Sequence, residues 1–429
     1  MIRSFARRSP RVRALYRGLR DFVVGPDRRL LPELHRVHAT RSQVSEFRLN
    51  LIINTIDPRA SYAGVPTALS LFRHIAANVA SSRSRIITWG ALPAAPPDLD
   101  GYAPSHIDDE SPQRSLVGLD ETADGRLPVG PWDVFVATYW STAESVLRVR
   151  EWQRTEYGAA PRYFLYIIQD YEPGFYPHSA GSLLARSTYE STDAVIAVFN
   201  SEQLRDYFHS EHLSFAHEFA FEPRLPVDLR DVRRRTPRRR TIVVYGRPET
   251  PRNAFPLIVE ALRRWHEVDP RATSWTCVSA GAAHGRVDLG GNVLRSIGKL
   301  DMAAYGELLS RSAVGIYLGV GPGAVYVPME MAHLGMLVIT NRGTVTDRAS
   351  LHDNITSLTD VTPEGIAVTI SEVCGRFDRD PTAGERGQTR RPEYLSDDPQ
   401  FPFANEVARL LMQGPEKTGG PTLSNGTSR

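Results

Sequence analysis

The chain has 429 residues, 51 basic against 49 acidic side chains, and two cysteines. That length exceeds one ordinary core and points to two domains with tails, and the near balance of charge gives no global reason to expect nucleic-acid binding. No apolar run reaches membrane-spanning length, the arginine-rich start lacks the apolar core of a signal peptide, and Cys277 and Cys374 match no metal or redox spacing, so a reduced cytoplasm is the expected compartment.

Residues 1–44 form a basic N-terminal extension. Arginines recur through it between Phe5, Leu15, Leu19 and Phe22 in a loosely amphipathic pattern. Such a helix either rests on an anionic membrane surface or packs as an extension on its own protein.

From residue 45 to 228 the pattern turns to α/β alternation. Strands are expected at 48–54, 85–88, 133–138, 163–168 and 194–198, with a helix over 65–79, and the alternation is that of a parallel, doubly wound sheet. The stretch 91–130, rich in Pro, Asp and Gly, reads as a long loop. Tyr62-Ala-Gly64-Val-Pro66 follows the first strand and opens a helix, the place for a glycine loop facing a phosphate. Gln169-Asp170-Tyr171-Glu172-Pro-Gly-Phe-Tyr176-Pro stands at a strand end. Its rings suit the C–H faces of a sugar and its carboxylates the hydroxyls, which makes Asp170, Tyr171, Glu172 and Tyr176 acceptor-side candidates. The same string is also what a Pro-Gly turn with structural tyrosines looks like.

Residues 229–240 are arginine-rich, have no periodic apolar face and no interleaved aromatics, and read as an interdomain linker rather than a nucleic-acid patch. A second α/β unit is expected over 241–395. Its strands are placed at 241–246, 274–279, 292–297 and 314–318, and its helices at 254–267 and 301–310. A C-terminal helix lies within 396–413, at 402–412, and 414–429 reads as a disordered tail.

Three loops of this second unit carry chemistry. Tyr245-Gly246-Arg247-Pro-Glu-Thr-Pro-Arg252 leaves the carboxyl end of the first strand, the edge where open α/β sheets bind ligands. Gly246 allows close backbone approach, and Arg247 and Arg252 suit phosphate oxygens. Lys299, one of two lysines in the chain, follows another strand at the same edge as a point charge suited to a diphosphate. The third loop opens the helix Tyr326-Val327-Pro328-Met-Glu330. Pro328 suits a first turn, unpaired N–H groups there attract an anion, and Glu330, expected about two residues in, offers an acceptor to ribose hydroxyls. Each loop taken singly is also a plain strand-to-helix connection; their convergence on one edge points to a nucleotide. No His/carboxylate cluster suggests a metal, and no Walker loop is present.

Two doubly wound units with a Gly-Arg loop and a later Pro-x-Glu helix in the second resemble the GT-B glycosyltransferases of family 4. Asp133-Val-Phe-Val-Ala-Thr138, Gln169-Asp-Tyr-Glu-Pro-Gly-Phe-Tyr-Pro177, Tyr245-Gly-Arg-Pro248, Thr250-Pro-Arg-Asn253 and Thr340-Asn-Arg342 are similar, in order over roughly 45–385, to strings of the WsaF-type bacterial rhamnosyltransferases. The resemblance implies a GT-B fold with two Rossmann-like domains facing a cleft, a dTDP-rhamnose donor, retention of anomeric configuration, no metal and no cofactor. Carried over by position, it implies that Arg247 and Lys299 contact the diphosphate and Glu330 the ribose. The wider family has a further glutamate eight residues before the second; Pro322 stands there, leaving Gly319–Gly323 to meet the sugar with backbone groups. The expected partners are a nucleoside diphosphate-sugar, a glycan acceptor that a lipid could carry, and an anionic membrane at the inner face, but no nucleic acid. The catalytic candidates are Asp170, Glu172, Arg247 and Lys299, and Gly64 joins the donor-binding set. A nucleotide-sugar epimerase and a catalytically silent nucleotide-sugar-binding subunit remain as alternatives.

Overall fold

A computed structural model describes residues 31–413 except 32, 36, 58–63, 80–82, 90, 91, 94–98, 100, 120–124, 159–161, 192, 193, 233, 235, 236, 324 and 325. The basic amphipathic stretch before residue 31, Tyr62 and the tail beyond 413 therefore lie outside the described residues.

The first unit contains strands β1 (His38–Arg41), β2 (Arg48–Ile53), β3 (Arg83–Trp89), β4 (Ala103–Pro104), β5 (Arg114–Leu119), β6 (Arg126–Val129), β7 (Asp133–Ala137), β8 (Phe164–Ile168), β9 (Val195–Phe199) and β10 (His217–Ala220). Its helices are α1 (Gly64–Ala77), α2 (Trp140–Tyr157), α3 (Ala180–Glu190), α4 (Glu202–Ser210) and the single turn α5 (Val227–Arg230). Eight strands form one sheet in the order β10-β9-β8-β7-β2-β3-β5-β4, every pairing parallel. Strands such as β2, β7, β8 and β9 are buried along their whole length, because helices cover both faces; this is why they read as apolar runs rather than alternations.

The second unit runs through β11 (Arg239–Gly246), α6 (Phe255–Val268), β12 (Thr276–Gly281), β13 (Val287–Asp288), β14 (Val293–Gly298), α7 (Met302–Arg311), β15 (Ser312–Tyr317), α8 (Tyr326–His333), β16 (Leu337–Asn341), β17 (Ile355–Leu358) and α9 (Pro363–Arg379). Its sheet has the order β13-β14-β12-β11-β15-β16-β17, parallel except for β13. In each sheet the chain starts at a central strand, builds to one side, then returns to build the other. The direction reverses between β2 and β7 in the first sheet and between β11 and β15 in the second.

Several expectations need correction. The stretch 91–130 is not one loop, because β5 pairs with β3 over six residues and β6 pairs with β1. Flanking Pro, Asp and Gly hid two short buried strands. That same β1 brings part of the expected N-terminal extension into the fold. The arginine cluster of 229–240 is tied down in part: buried Arg238 donates to the carbonyls of Leu309 (3.0 Å), Ser312 (2.8 Å) and Leu334 and to Glu385 (2.6 Å), while Arg234 donates to the carbonyls of His333 (2.9 Å) and Glu385 (2.8 Å). Of these acceptors, the His333 and Leu334 carbonyls belong to the end of α8, where a helix leaves carbonyls without intrahelical donors. Finally, β17 and α9, unassigned from sequence, complete the second unit.

The C-terminal helix α10 (Ala404–Gln413) crosses back to the first unit. Phe401, Ala404, Val407 and Leu411 share one apolar cluster with Leu49, Leu51, Phe72 and Ile75.

Candidate active site

At the reversal point of the second sheet, β11 and β15 end side by side, the position at which the crevice of a doubly wound sheet takes ligands, and the loops that follow them form its two walls. Gly246 closes β11. A Cβ there would stand 1.8 Å from Ser279 Oγ, so only glycine fits against β12, and its carbonyl accepts the Ala282 N–H at 2.8 Å. Arg247 follows at once. The chain then turns through Pro251–Asn253 and a left-handed Ala254 (φ 45°) into α6, carrying Arg252 on the turn.

On the other wall, the loop Gly319–Gly323 is braced from below. Asn341 accepts the Gly319 N–H at 2.8 Å and donates back to its carbonyl at 2.9 Å, and buried Arg348 donates to that carbonyl at 3.1 Å and to Asn341 Oδ1 at 2.8 Å. The Val320 N–H donates to the Arg252 carbonyl at 2.8 Å, so the two walls are joined by main chain. Asn341 lies inside a string singled out from the sequence. Arg348 does not, and nothing in the spacing marks it.

Helix α8 begins at Tyr326, which places Pro328 in the first turn as expected but puts Glu330 a full turn inside. Glu330 is 7% exposed, its Oε2 accepts the Tyr305 hydroxyl at 3.0 Å, and burial pushes its carboxyl up to about 7. Tyr305, contributed by α7, was not foreseen. Lys299 is exposed just beyond Gly298 at the end of β14. Strand β12 lies between β14 and β11, so Lys299 and Arg247 leave the same edge about 10 Å apart, two strand spacings. Arg247, Lys299, Arg252 and the start of α8 thus share one edge of one sheet.

The first unit turns its own carboxyl edge toward this crevice. Asp170, two residues past β8, has Oδ2 4.0 Å from Arg252 Nε, and Gly323 packs so close that a Cβ would fall 2.7 Å from its Cγ. Burial raises the Asp170 carboxyl above its ordinary value, opposed by the Arg252 charge and by the Tyr171 and Gly323 N–H groups. The Arg252 guanidinium sits over the Phe175 ring, 3.9 Å from its centroid. Tyr326 meets Thr67 and Asn200 of the first unit. Gly64 opens α1, and its carbonyl accepts the Gln169 amide at 3.0 Å.

The remaining members of the polar-aromatic string point elsewhere. Glu172 is 2% exposed, and its carboxylate accepts the Trp140 N–H at 2.6 Å at the start of α2 and the Tyr166 hydroxyl at 3.4 Å. Burial drives it up to about 8. Tyr171 stacks on Tyr189 and receives Arg186 at 2.7 Å, and Tyr176 meets the hydroxyl of Tyr139 and the indole of Trp140. Of the four acceptor-side candidates, Asp170 is the one that touches the second unit among the described residues; the other three are engaged within the first, so the structural-tyrosine reading describes Tyr171. Among the described residues no group of three or more His, Cys, Asp or Glu is placed to hold a metal ion.

The family model of the WsaF N-terminal domain matches residues 48–202, and that of the WsaF C-terminal domain matches residues 240–371, together more than half of the chain. The O-antigen biosynthesis protein RfbC of Myxococcus xanthus is 30% identical over 240 residues, covering 54% of this chain and 17% of that protein. The chain therefore spans less than a fifth of that relative's length. Among solved structures, a sucrose-phosphate synthase from Thermosynechococcus elongatus superposes with a TM-score of 0.53 at 14% identity, covering 86% of this chain and 95% of that one. WaaG, a glycosyltransferase involved in lipopolysaccharide biosynthesis, gives 0.51 at 12% identity, covering 87% and 100%. At such identities the likeness is one of fold, the two-unit GT-B arrangement with a cleft between the sheets.

Proposed function

This chain belongs to the WsaF family and has the GT-B fold, and from that premise we propose that it is a hexosyltransferase that moves rhamnose from dTDP-rhamnose to a hydroxyl of a bacterial cell-surface glycan, with retention of configuration and without a metal. The observation that carries the reading is the gathering of Arg247, Arg252, Lys299 and the α8 start along one sheet edge, with Asp170 facing them from the other unit. The diphosphate lies against Arg247, Lys299 and the first turn of α8 (Tyr326, Val327, Pro328). Glu330 takes the ribose hydroxyls.

As the glycosidic bond breaks, negative charge grows on the leaving diphosphate while the sugar becomes oxocarbenium-like. Fixed cations and N–H groups stabilise that added charge more than the charge already on the intact donor's diphosphate, and this difference lowers the barrier. The departing phosphate oxygen takes the acceptor proton on the same face, so no histidine base is required. Asp170 orients the acceptor hydroxyl. Glu172 acts at one remove, holding the start of α2. The name of the Myxococcus relative supports an O-antigen-type glycan as product, with a lipid-carried acceptor reached from the cytoplasmic face. No helix among the described residues is long and apolar enough to cross a membrane; the basic stretch of residues 1–30 would make a peripheral contact.

Calorimetric titration with a panel of nucleoside diphosphates and their sugars, followed by transfer assays, tests the reading. Binding of dTDP-rhamnose and its transfer are expected; failure to bind any diphosphate nucleotide ends it. Arg247→Ala is expected to lower turnover at least about tenfold, the loss of roughly one charge-assisted bond. Near-normal turnover would remove Arg247 from the mechanism.

A further inference from the structure

We propose that Phe175 is a positioning residue for the donor site of the opposite unit: its ring seats the Arg252 guanidinium, so that the arginine offered to the donor diphosphate is placed from across the cleft. The inference rests on the reading that a nucleoside diphosphate binds at the second-sheet crevice.

The contact joins two anchored pieces. Phe175 ends the short helical turn Glu172–Phe175. That turn is pinned at its start by Glu172 on the Trp140 N–H and closed by the Gly174 N–H on the Tyr171 carbonyl at 3.1 Å. Arg252 is offered by the turn Pro251–Asn253, whose main chain is fixed by the Val320 N–H at 2.8 Å and by the left-handed Ala254 beyond it. A long arginine side chain on such a turn still has its rotamers to lose when it binds an anion. The ring removes that freedom beforehand, with the guanidinium 3.9 Å from its centroid.

The geometry also leaves the arginine usable. Stacking occupies the flat face of a guanidinium, while its N–H groups all point outward in the plane. One edge faces Asp170, with 4.0 Å between Nε and Oδ2. The remaining donors can meet phosphate oxygens without leaving the ring. Donor affinity, a property of the second unit, should therefore depend on one aromatic side chain of the first. Phe175 also keeps Arg252 near Asp170 in the cleft, which links donor loading to the acceptor-side carboxylate.

The test uses the full chain, dTDP as the titrated probe and dTDP-rhamnose for kinetics. Phe175→Leu keeps an apolar side chain of similar bulk and removes the ring face. It is expected to weaken dTDP about fivefold, the loss of roughly 1 kcal/mol, and to raise the donor KM alike with kcat little changed. Phe175→Tyr restores the wild-type affinity. In an Arg252→Ala background Phe175→Leu should leave dTDP affinity unchanged, because the ring acts through Arg252. Wild-type affinity in Phe175→Leu, or an equal loss with and without Arg252, would overturn the proposal and mark the ring as general packing. Thermal midpoints of all variants show whether a loss reflects unfolding, and Phe175→Tyr then decides. If the wild-type protein binds neither dTDP nor any other nucleoside diphosphate, the crevice reading itself falls and takes this inference with it.

Discussion

Glu330 and Glu172 are both carboxylates withdrawn from water, and different partners answer them. Glu330 has the Tyr305 hydroxyl and is raised from 4.5 to about 7; Glu172 has the Trp140 N–H and stands at about 8, desolvation being the main cause in each. Between 4.5 and those values the folded chain keeps protons that the unfolded chain has released. The stability these groups allow is thus full below about pH 4.5 and is lost as pH rises through 7 and 8. Urea unfolding should give a smaller unfolding free energy at pH 8 than at pH 5. Glu330→Gln and Glu172→Gln should each flatten that slope, and variants that run parallel to the parent would refute the assignment. The proposed ribose role adds a ligand prediction. An NDP-sugar diphosphate does not titrate near neutrality, so tighter dTDP-rhamnose binding as pH rises through about 7 would report Glu330 ionising. Glu330→Gln should bind with no such pH dependence. Both glutamates stood out in the sequence, but only packing separated a residue at the crevice from one that holds a helix start.

At the scale of elements, Arg238 shows how a run of charge became architecture. Its donors reach carbonyls at the C-terminal ends of α7 and α8 and the Glu385 carboxylate from a site 6% exposed. Arg238→Ala should cost roughly 3–5 kcal/mol, since it strands several buried acceptors at once. Arg238→Lys should recover little of this, because a single ammonium cannot span a fan of carbonyls. Chemical denaturation measures both, and a loss below about 1 kcal/mol would show that water satisfies those groups. Most strand-loop-helix units of the second sheet were legible because they couple an apolar run to a glycine or proline signal, β17 with α9 being the exception. The strands β5 and β6 were not, because their short runs are set among Pro, Asp and Gly that read as loop. Their partners, β3 and β1, are distant in sequence, and pairing rather than local preference makes them strands.

At the scale of the whole molecule, α10 binds the chain's end to its beginning. Phe401, Val407, Ala408 and Leu411 fill the same apolar cluster as β2 and α1, and each large side chain buried there contributes roughly 1.5–3 kcal/mol. Ending the chain at residue 400 should speed hydrogen exchange in β2, β3 and α1 while β11, β15 and β16 keep their protection. Unchanged exchange in the first unit would show that α10 is dispensable. The cleft is closed at the same scale by Arg252 with Asp170 and Phe175, and by Tyr326 with Thr67 and Asn200. None of these cross-unit pairs had a sequence signature.

By itself the sequence determined the α/β class, two doubly wound units and the loops that carry Arg247, Lys299 and Glu330. These follow from local causes: apolar runs of strand length, helix periodicity, and glycine and proline where the backbone must turn. The tertiary structure decided which side chains of those loops face the cleft, that Glu172 and Tyr171 face inward while Asp170 crosses to Arg252, and that α10 belongs to the first unit. Contacts between residues far apart in the chain depend on strand order and on how two sheets are set against each other, and no local pattern records either.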